Sequence, residues 1–188
     1  MMRRLAVWFV GLVLAGMLAC GVAHPVQAQP RDGYGVETYD DGGRYEGDFA
    51  NGLRHGRGIY RFPSGNRYEG EYRNGQRNGH GVFFFANGDR YEGEFRNNQR
   101  TGSGVFIWAN GDRYEGEWLN GKSHGHGVQI WANGDRYEGE WVEDRAHGQG
   151  TRTNAKTGAT YSGQWTNGCF RDGDRWATAG ATREECGF

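Results

Sequence analysis

The sequence predicts an all-β protein, an elongated, solenoid-like single-layer antiparallel sheet of tandem β-hairpins. Three observations lead there. From Tyr45 the chain repeats every 23 residues, with the opening tyrosine at Tyr45, Tyr68, Tyr91, Tyr114 and Tyr137, and again at Tyr161 after a one-residue insertion. A fixed period in this range means one small supersecondary unit stacked on copies of itself. Each unit opens with period-two alternation of aromatic and charged residues, the pattern of a half-exposed strand. Asn-Gly pairs then recur between the apolar runs, and both residues tolerate the positive φ of a tight hairpin.

The elements follow in chain order. Met1-Met2-Arg3-Arg4 and the apolar run Leu5 to Ala19 have the layout of a secretory signal and are short for a membrane span. Two ends are open to it. Val26-Gln27-Ala28 suits cleavage before Gln29, making 1–28 a signal peptide. Met17-Leu18-Ala19-Cys20 loosely resembles a bacterial lipobox, which would make 1–19 a lipoprotein signal and leave a lipid anchor at Cys20. Either reading predicts an exported protein of the periplasm or cell envelope. Residues 29–168 are the array, with a half-unit from Gly33 to Arg44 at its start. Residues 169–188 form a C-terminal cap. Its two cysteines, Cys169 and Cys186, are an even pair that an oxidising compartment would join as a disulfide.

Numbered from its tyrosine, a unit has an aromatic at position 5: Phe49, Tyr72, Phe95, Trp118, Trp141 and Trp165. Acids stand at positions 2 and 4, on the opposite face, together with the arginine preceding each tyrosine. Positions 7 to 14 are expected to turn, as in Asn120 to Gly127. A second strand without clear alternation follows, as in Val82 to Phe85 and Val105 to Trp108, and Asn-Gly-Asp leads into the next unit. Glycine at positions 3, 12 and 14 marks places where another group, expected to be an aromatic ring, comes against the backbone. Thr151 to Asn154 replace the second-strand apolar residues of the fifth unit, and the sixth lacks Gly-x-Gly. Both are expected to belong with the cap.

Tyr-Glu-Gly-Glu-Trp followed by Asn-Gly-x-x-x-Gly-x-Gly, as in Tyr114 to Gly127, resembles the MORN (membrane occupation and recognition nexus) repeat. The resemblance covers about residues 33–168. It implies a curved sheet of hairpins with an aromatic-lined groove, non-catalytic in itself. It also implies protein association or self-association, with contact to membrane lipid in some members.

Composition narrows the chemistry. Without residues 1–28 the chain has 20 Lys and Arg against 23 Asp and Glu, a net charge of −3, with the two signs alternating. No positive stripe is offered to nucleic acid or anionic lipid. The mean hydropathy of −0.88 would suit disorder, but 14% aromatic residues in strict period do not. Catalysis needs one singular pair of carboxylates, whereas Glu46, Glu69, Glu92, Glu115 and Glu138 are equal copies. No nucleophile elbow or phosphate loop is present, so no enzyme, cofactor or small-molecule substrate is expected. His124 and His126, with His147 in the next unit, fall short of the convergent set a metal needs. The expected interaction surface is the aromatic column where it turns to tryptophan: Trp108, Tyr114, Trp118, Trp131, Tyr137 and Trp141. Its occupant is a protein partner or a second copy, with a lipid headgroup or cell-wall glycan as the other readings.

Overall fold

A computed structural model describes residues 32–188; the signal expected over 1–28 and the alternative lipid anchor at Cys20 lie outside the described residues. Twelve strands pair in chain order into one open antiparallel sheet. They are β1 (Gly33–Thr38), β2 (Arg44–Ala50), β3 (Leu53–Arg61), β4 (Arg67–Arg73), β5 (Gln76–Phe84) and β6 (Arg90–Arg96), then β7 (Gln99–Ile107), β8 (Arg113–Leu119), β9 (Lys122–Ile130), β10 (Arg136–Val142), β11 (Arg145–Thr153) and β12 (Thr160–Trp165). A separate two-stranded hairpin, β13 (Cys169–Asp172) and β14 (Arg175–Thr178), follows. The all-β, hairpin-repeat fold is as the 23-residue period predicts.

The turn is shorter than the sequence suggested. Only positions 7 and 8 turn, and positions 9 to 14 already belong to the second strand. Asn51 and Gly52 both take positive φ, 52° and 72°, and the same two-residue geometry recurs down to Asn167 and Gly168. This fits a type I′ hairpin, whose twist matches that of its flanking strands. The Gly-x-Gly that looked like loop is a bulge. Gly47 pairs with Gly58 and Phe49 with Arg54, so His55, Gly56 and Arg57 face the single residue Asp48. Equivalent register shifts occur in all five full hairpins. A bulge bends its strand and increases the local twist.

The acid at position 4 exists for that bulge. Asp48 Oδ2 accepts the Arg57 N–H at 3.0 Å, and Glu71, Glu94, Glu117 and Glu140 accept the corresponding N–H groups of His80, Ser103, His126 and Gln149. Gly56 has φ +57°, and a Cβ there would meet the Asp48 carboxylate at 2.6 Å. The acid at position 2 instead pairs with the arginine two residues before it, as in Arg44–Glu46 at 2.8 Å and Arg113–Glu115 at 2.6 Å. Successive units are also stapled at their outer turns. Asn66, Asp89, Asp112 and Asp135 each accept the N–H of the alanine 20 residues on, at 2.8 to 2.9 Å.

The other face is an aromatic ladder. Tyr45 stands edge-on to Phe49 at 5.0 Å and to Tyr72 of the next unit at 5.2 Å. The zigzag continues without a break to Tyr137 between Trp141 and Trp165, both at 5.0 Å. T-shaped pairs of this kind add about 0.5–1.5 kcal/mol each beyond area burial. All five tyrosines are 1% exposed or less. Each ring lies over glycine: a Cβ on Gly58 would sit 2.3 Å from the Tyr45 hydroxyl, and one on Gly47 at 2.7 Å. The close approach at position 14 is therefore the unit's own tyrosine, that at position 3 is first the backbone of the facing Gly58 and Arg57 and then the same tyrosine, and position 12 is glycine because of the bulge. Second-strand residues do alternate: Phe83 joins the ladder face, and Phe84 lies on the other, under Arg67 at 4.1 Å.

Candidate functional site

Position 10 decides where the aromatic face is closed. It is Arg54, Arg77 and Arg100 in the first three units, then Ser123 and Ala146. The arginines point back across the ladder face. Arg77 stands over Phe83 at 5.1 Å and Phe95 at 5.5 Å, and Arg100 over Phe106 at 5.0 Å and Trp118 at 4.5 Å. Burial pulls both guanidinium groups below their ordinary pKa. These stems and heads cover the rings that a single-layer sheet would otherwise leave open.

At the fourth unit two exchanges remove that cover. Ser123 replaces the arginine, and Gln129 replaces the position-16 aromatic that is Tyr60, Phe83 and Phe106 in the units before. A cavity of about 390 Å³ opens there, lined by Trp108, Trp118, Trp131 and Trp141 with Ser123, Gln129, Asp112 and Asp144 among its polar residues. Trp118 and Trp141 form its floor, 5% and 3% exposed, each donating its indole N–H to a glycine carbonyl, Gly104 and Gly127, at 3.2 Å. That bond explains tryptophan at position 5 in the later units. Trp108 and Trp131 are half-buried at the sides. Tyr114 also lines the cavity, and burial, then Glu117 and Asp144, push its phenol pKa up.

At the fifth unit the cap takes over. The Ala146 N–H donates to Ala179, Gly168 to Ala146, and Ala179 to Gly168, so the chain after β12 folds back over Ala146. Trp165, Phe170, Ala177 and Ala179 are buried beneath it, and Cys169 and Cys186 are bonded as expected, with Cα atoms 5.6 Å apart. Gly180 reaches the cavity edge. Arg152 donates to Asp135 at 2.8 Å and to the Thr178 carbonyl, while its guanidinium stacks on Trp131 at 4.9 Å. Burial opposes the Asp135 carboxylate, but the Ala155 N–H and Arg152 outweigh it and hold its pKa below the usual range.

Of the six aromatic residues expected at the site, five come together: Trp108, Tyr114, Trp118, Trp131 and Trp141. Tyr137 does not. It is wholly buried between Trp141 and Trp165, as the ladder tyrosines of units one to three are between their own neighbouring rings. Ser123, Gln129 and Asp144 were missed. Their signal is a break in a column, visible only when positions 10, 16 and 8 are compared between units. His124 and His126 lie in β9 rather than in a turn, and no group of three or more His, Cys, Asp or Glu able to hold a metal converges among the described residues.

A family model for the MORN repeat matches residues 30–44, 45–67, 68–90, 91–113, 114–136 and 137–156. No curated protein matches the chain. Among solved structures, the TCP domain of SAS-4 (dCPAP) of Drosophila melanogaster, in complex with a proline-rich motif of Ana2 (dSTIL), is 11% identical. It covers 70% of this chain and 72% of that one at a TM-score of 0.43. The TCP10 domain of Danio rerio CPAP, in complex with a STIL peptide, is 12% identical over 78% of this chain and 98% of that one, at a TM-score of 0.20. A catalytically inactive virginiamycin B lyase from Staphylococcus aureus with quinupristin is 15% identical over 76% and 44%, again at 0.20. At these scores none of the three bears on partners. The six consecutive family matches run through most of the described sheet: the chain belongs to the MORN repeat family, whose repeats suit binding or scaffolding and are generally non-catalytic.

Proposed function

We propose that this protein is a non-catalytic interaction or scaffold module of the bacterial envelope that binds a protein partner through the aromatic face at its fourth unit. The observation that carries this is local. The ladder rings are covered by arginine in the first three units and by the cap in the fifth, and between them the face opens onto four tryptophans. Aromatic anchors in a depression with a polar edge are the usual composition of a binding hot spot. The acid columns support a non-catalytic reading, because their members hold bulges and arginines along the whole array. The signal-like residues 1–28 and the Cys169–Cys186 bond support export.

Capture from envelope extract, followed by reconstitution with the purified partner, tests the site. A partner held by the wild type and released by Trp131→Ala and by Trp108→Ala is the expected result. Retention by both variants, or binding only to lipid vesicles or peptidoglycan, would overturn it. Intact mass of the protein recovered from cells tests export: a start at Gln29 or an acylated Cys20 is expected, and an unprocessed chain in the cytosol refutes it.

A further inference from the structure

Three slots on the aromatic face hold an arginine of the chain itself, and the slot at the fourth unit holds none. In the filled slots the guanidinium stands over rings and donates to the carbonyl of position 8 in the next unit: Arg54 to Gly75 at 2.9 Å, Arg77 to Asn98 at 2.9 Å and Arg100 to Gly121 at 2.5 Å. The fourth slot keeps the tyrosine and the following ring, Tyr114 and Trp141, which are 5.4 Å apart. Its residue 10 is Ser123, and the next position 8 is Asp144, whose Oδ1 accepts the Ser123 N–H at 2.7 Å. Where the array loses a cation, the neutral residue that received it elsewhere is replaced by a carboxylate.

Nearby cations are already engaged. Arg100, on one side of the cavity, feels the Asp144 charge, but its guanidinium is held on Trp118 and the Gly121 carbonyl. Lys122 bonds to Glu143 at 3.2 Å, Arg145 to Glu185 at 2.6 Å and Arg152 to Asp135 at 2.8 Å. Gly180 lies against the Asp144 carbonyl, since a Cβ on that glycine would come 2.2 Å from it. The carbonyl used in the other slots is thus partly covered, and the Asp144 carboxylate stands in as acceptor.

We propose that the cavity at the fourth unit binds the guanidinium of an arginine side chain presented by the protein partner, in the place that Arg54, Arg77 and Arg100 occupy in their own units. The inference rests on this cavity being the partner site. A flat, weakly hydrated cation stacks on indole more favourably than on any other ring, and its fork of donors matches a carboxylate. In the filled slots the guanidinium also stands on the position-16 ring, Tyr60, Phe83 or Phe106, a contact that the amide of Gln129 does not supply.

The test uses the purified chain with its disulfide intact and follows tryptophan indole N–H resonances. The probes are the blocked peptide Gly-Arg-Gly and its citrulline, lysine and leucine counterparts. A saturable shift in the millimolar range is expected with arginine and none with citrulline, which has the same shape without the charge. Ser123→Arg, which restores the residue of the first three units, should fold normally and lose the shift. Gln129→Phe, which restores the position-16 ring, should tighten binding roughly two- to fivefold, the gain of one further exposed cation–π contact. Equal binding of citrulline or leucine, persistence in Ser123→Arg, weakening in Gln129→Phe or absence of any saturable shift would each overturn the proposal. A partner that needs Trp131 but still binds Ser123→Arg refutes the arginine while leaving the partner site standing. A partner indifferent to Trp131 removes both.

Discussion

Units one to three and the fourth unit share a sheet, a bulge and a tyrosine ladder, yet of these four only the fourth lacks the arginine that covers the ladder face. The difference lies in a few side chains that the ladder does not use: Ser123 for arginine, Gln129 for an aromatic and Asp144 for a neutral residue. A repeat of this kind keeps scaffold and site on separate positions of the same unit. Positions 1, 3, 4, 5, 12 and 14 hold the hairpin and its neighbours together, so they recur. Positions 10 and 16 only cover the ladder, and position 8 needs only a residue that tolerates positive φ, so one unit can change them without unravelling the sheet.

The largest expected effect ignores that distinction. Burial raises the phenol pKa of all five ladder tyrosines, that of Tyr45 to about 12 and those of Tyr68, Tyr91, Tyr114 and Tyr137 further. The folded state therefore holds the neutral phenol. Its stabilisation is complete below the unfolded value near 10 and is lost as pH rises from there through the folded values. Both regions should unfold together in alkali, with phenolate absorbance and loss of circular dichroism rising in step. Tyrosines that titrate one region at a time in a folded protein would break the picture of one continuous ladder.

Next come the glycines under the rings. A Cβ on Gly81 would meet the Tyr68 hydroxyl at 2.4 Å, and one on Gly127 would meet that of Tyr114 at 2.3 Å. Gly81→Val and Gly127→Val should each cost about 3 kcal/mol or more in urea denaturation. Equal losses place both units on the same scaffold; a tolerant Gly127 would mean that the fourth unit is already loosened.

Reduction of Cys169–Cys186 should cost about 3 kcal/mol for a crosslink between residues 17 apart. Hydrogen exchange should locate that loss in β11 to β14 and spare β2 to β7, since the cap contacts only the far end. Uniform loss of protection would show that the cap supports the whole array. The smallest effects separate the filled and open slots. Arg77→Ala gives up stacking on three rings, Tyr68, Phe83 and Phe95, and the Asn98 hydrogen bond, and should cost about 2 kcal/mol. Ser123→Ala should cost less than about 1 kcal/mol by the same denaturation. Comparable costs would mean that the arginines do not seal the face.

Much of this was legible in one dimension. Tyr45 and Phe49 announced their face through alternation, Asn51-Gly52 announced a hairpin, and the 23-residue spacing announced stacking. The Gly-x-Gly segment was misread as turn because glycines at a bulge and in a loop look alike; what separates them is Asp48 folding back to the Arg57 N–H. The tryptophans drew attention to the stretch where the cavity lies, but composition could not tell Trp131, at the side of that cavity, from Tyr137, buried in the ladder.

By itself the sequence determined the unit, its count and the face each first-strand residue would take, since these depend on neighbours one or two residues away and on an exact period. Only the tertiary structure decided which stretch of the aromatic face stays open. That depends on residues 20 or more positions apart, an arginine reaching the next unit and a C-terminal segment folding back onto Ala146, which local preference does not encode.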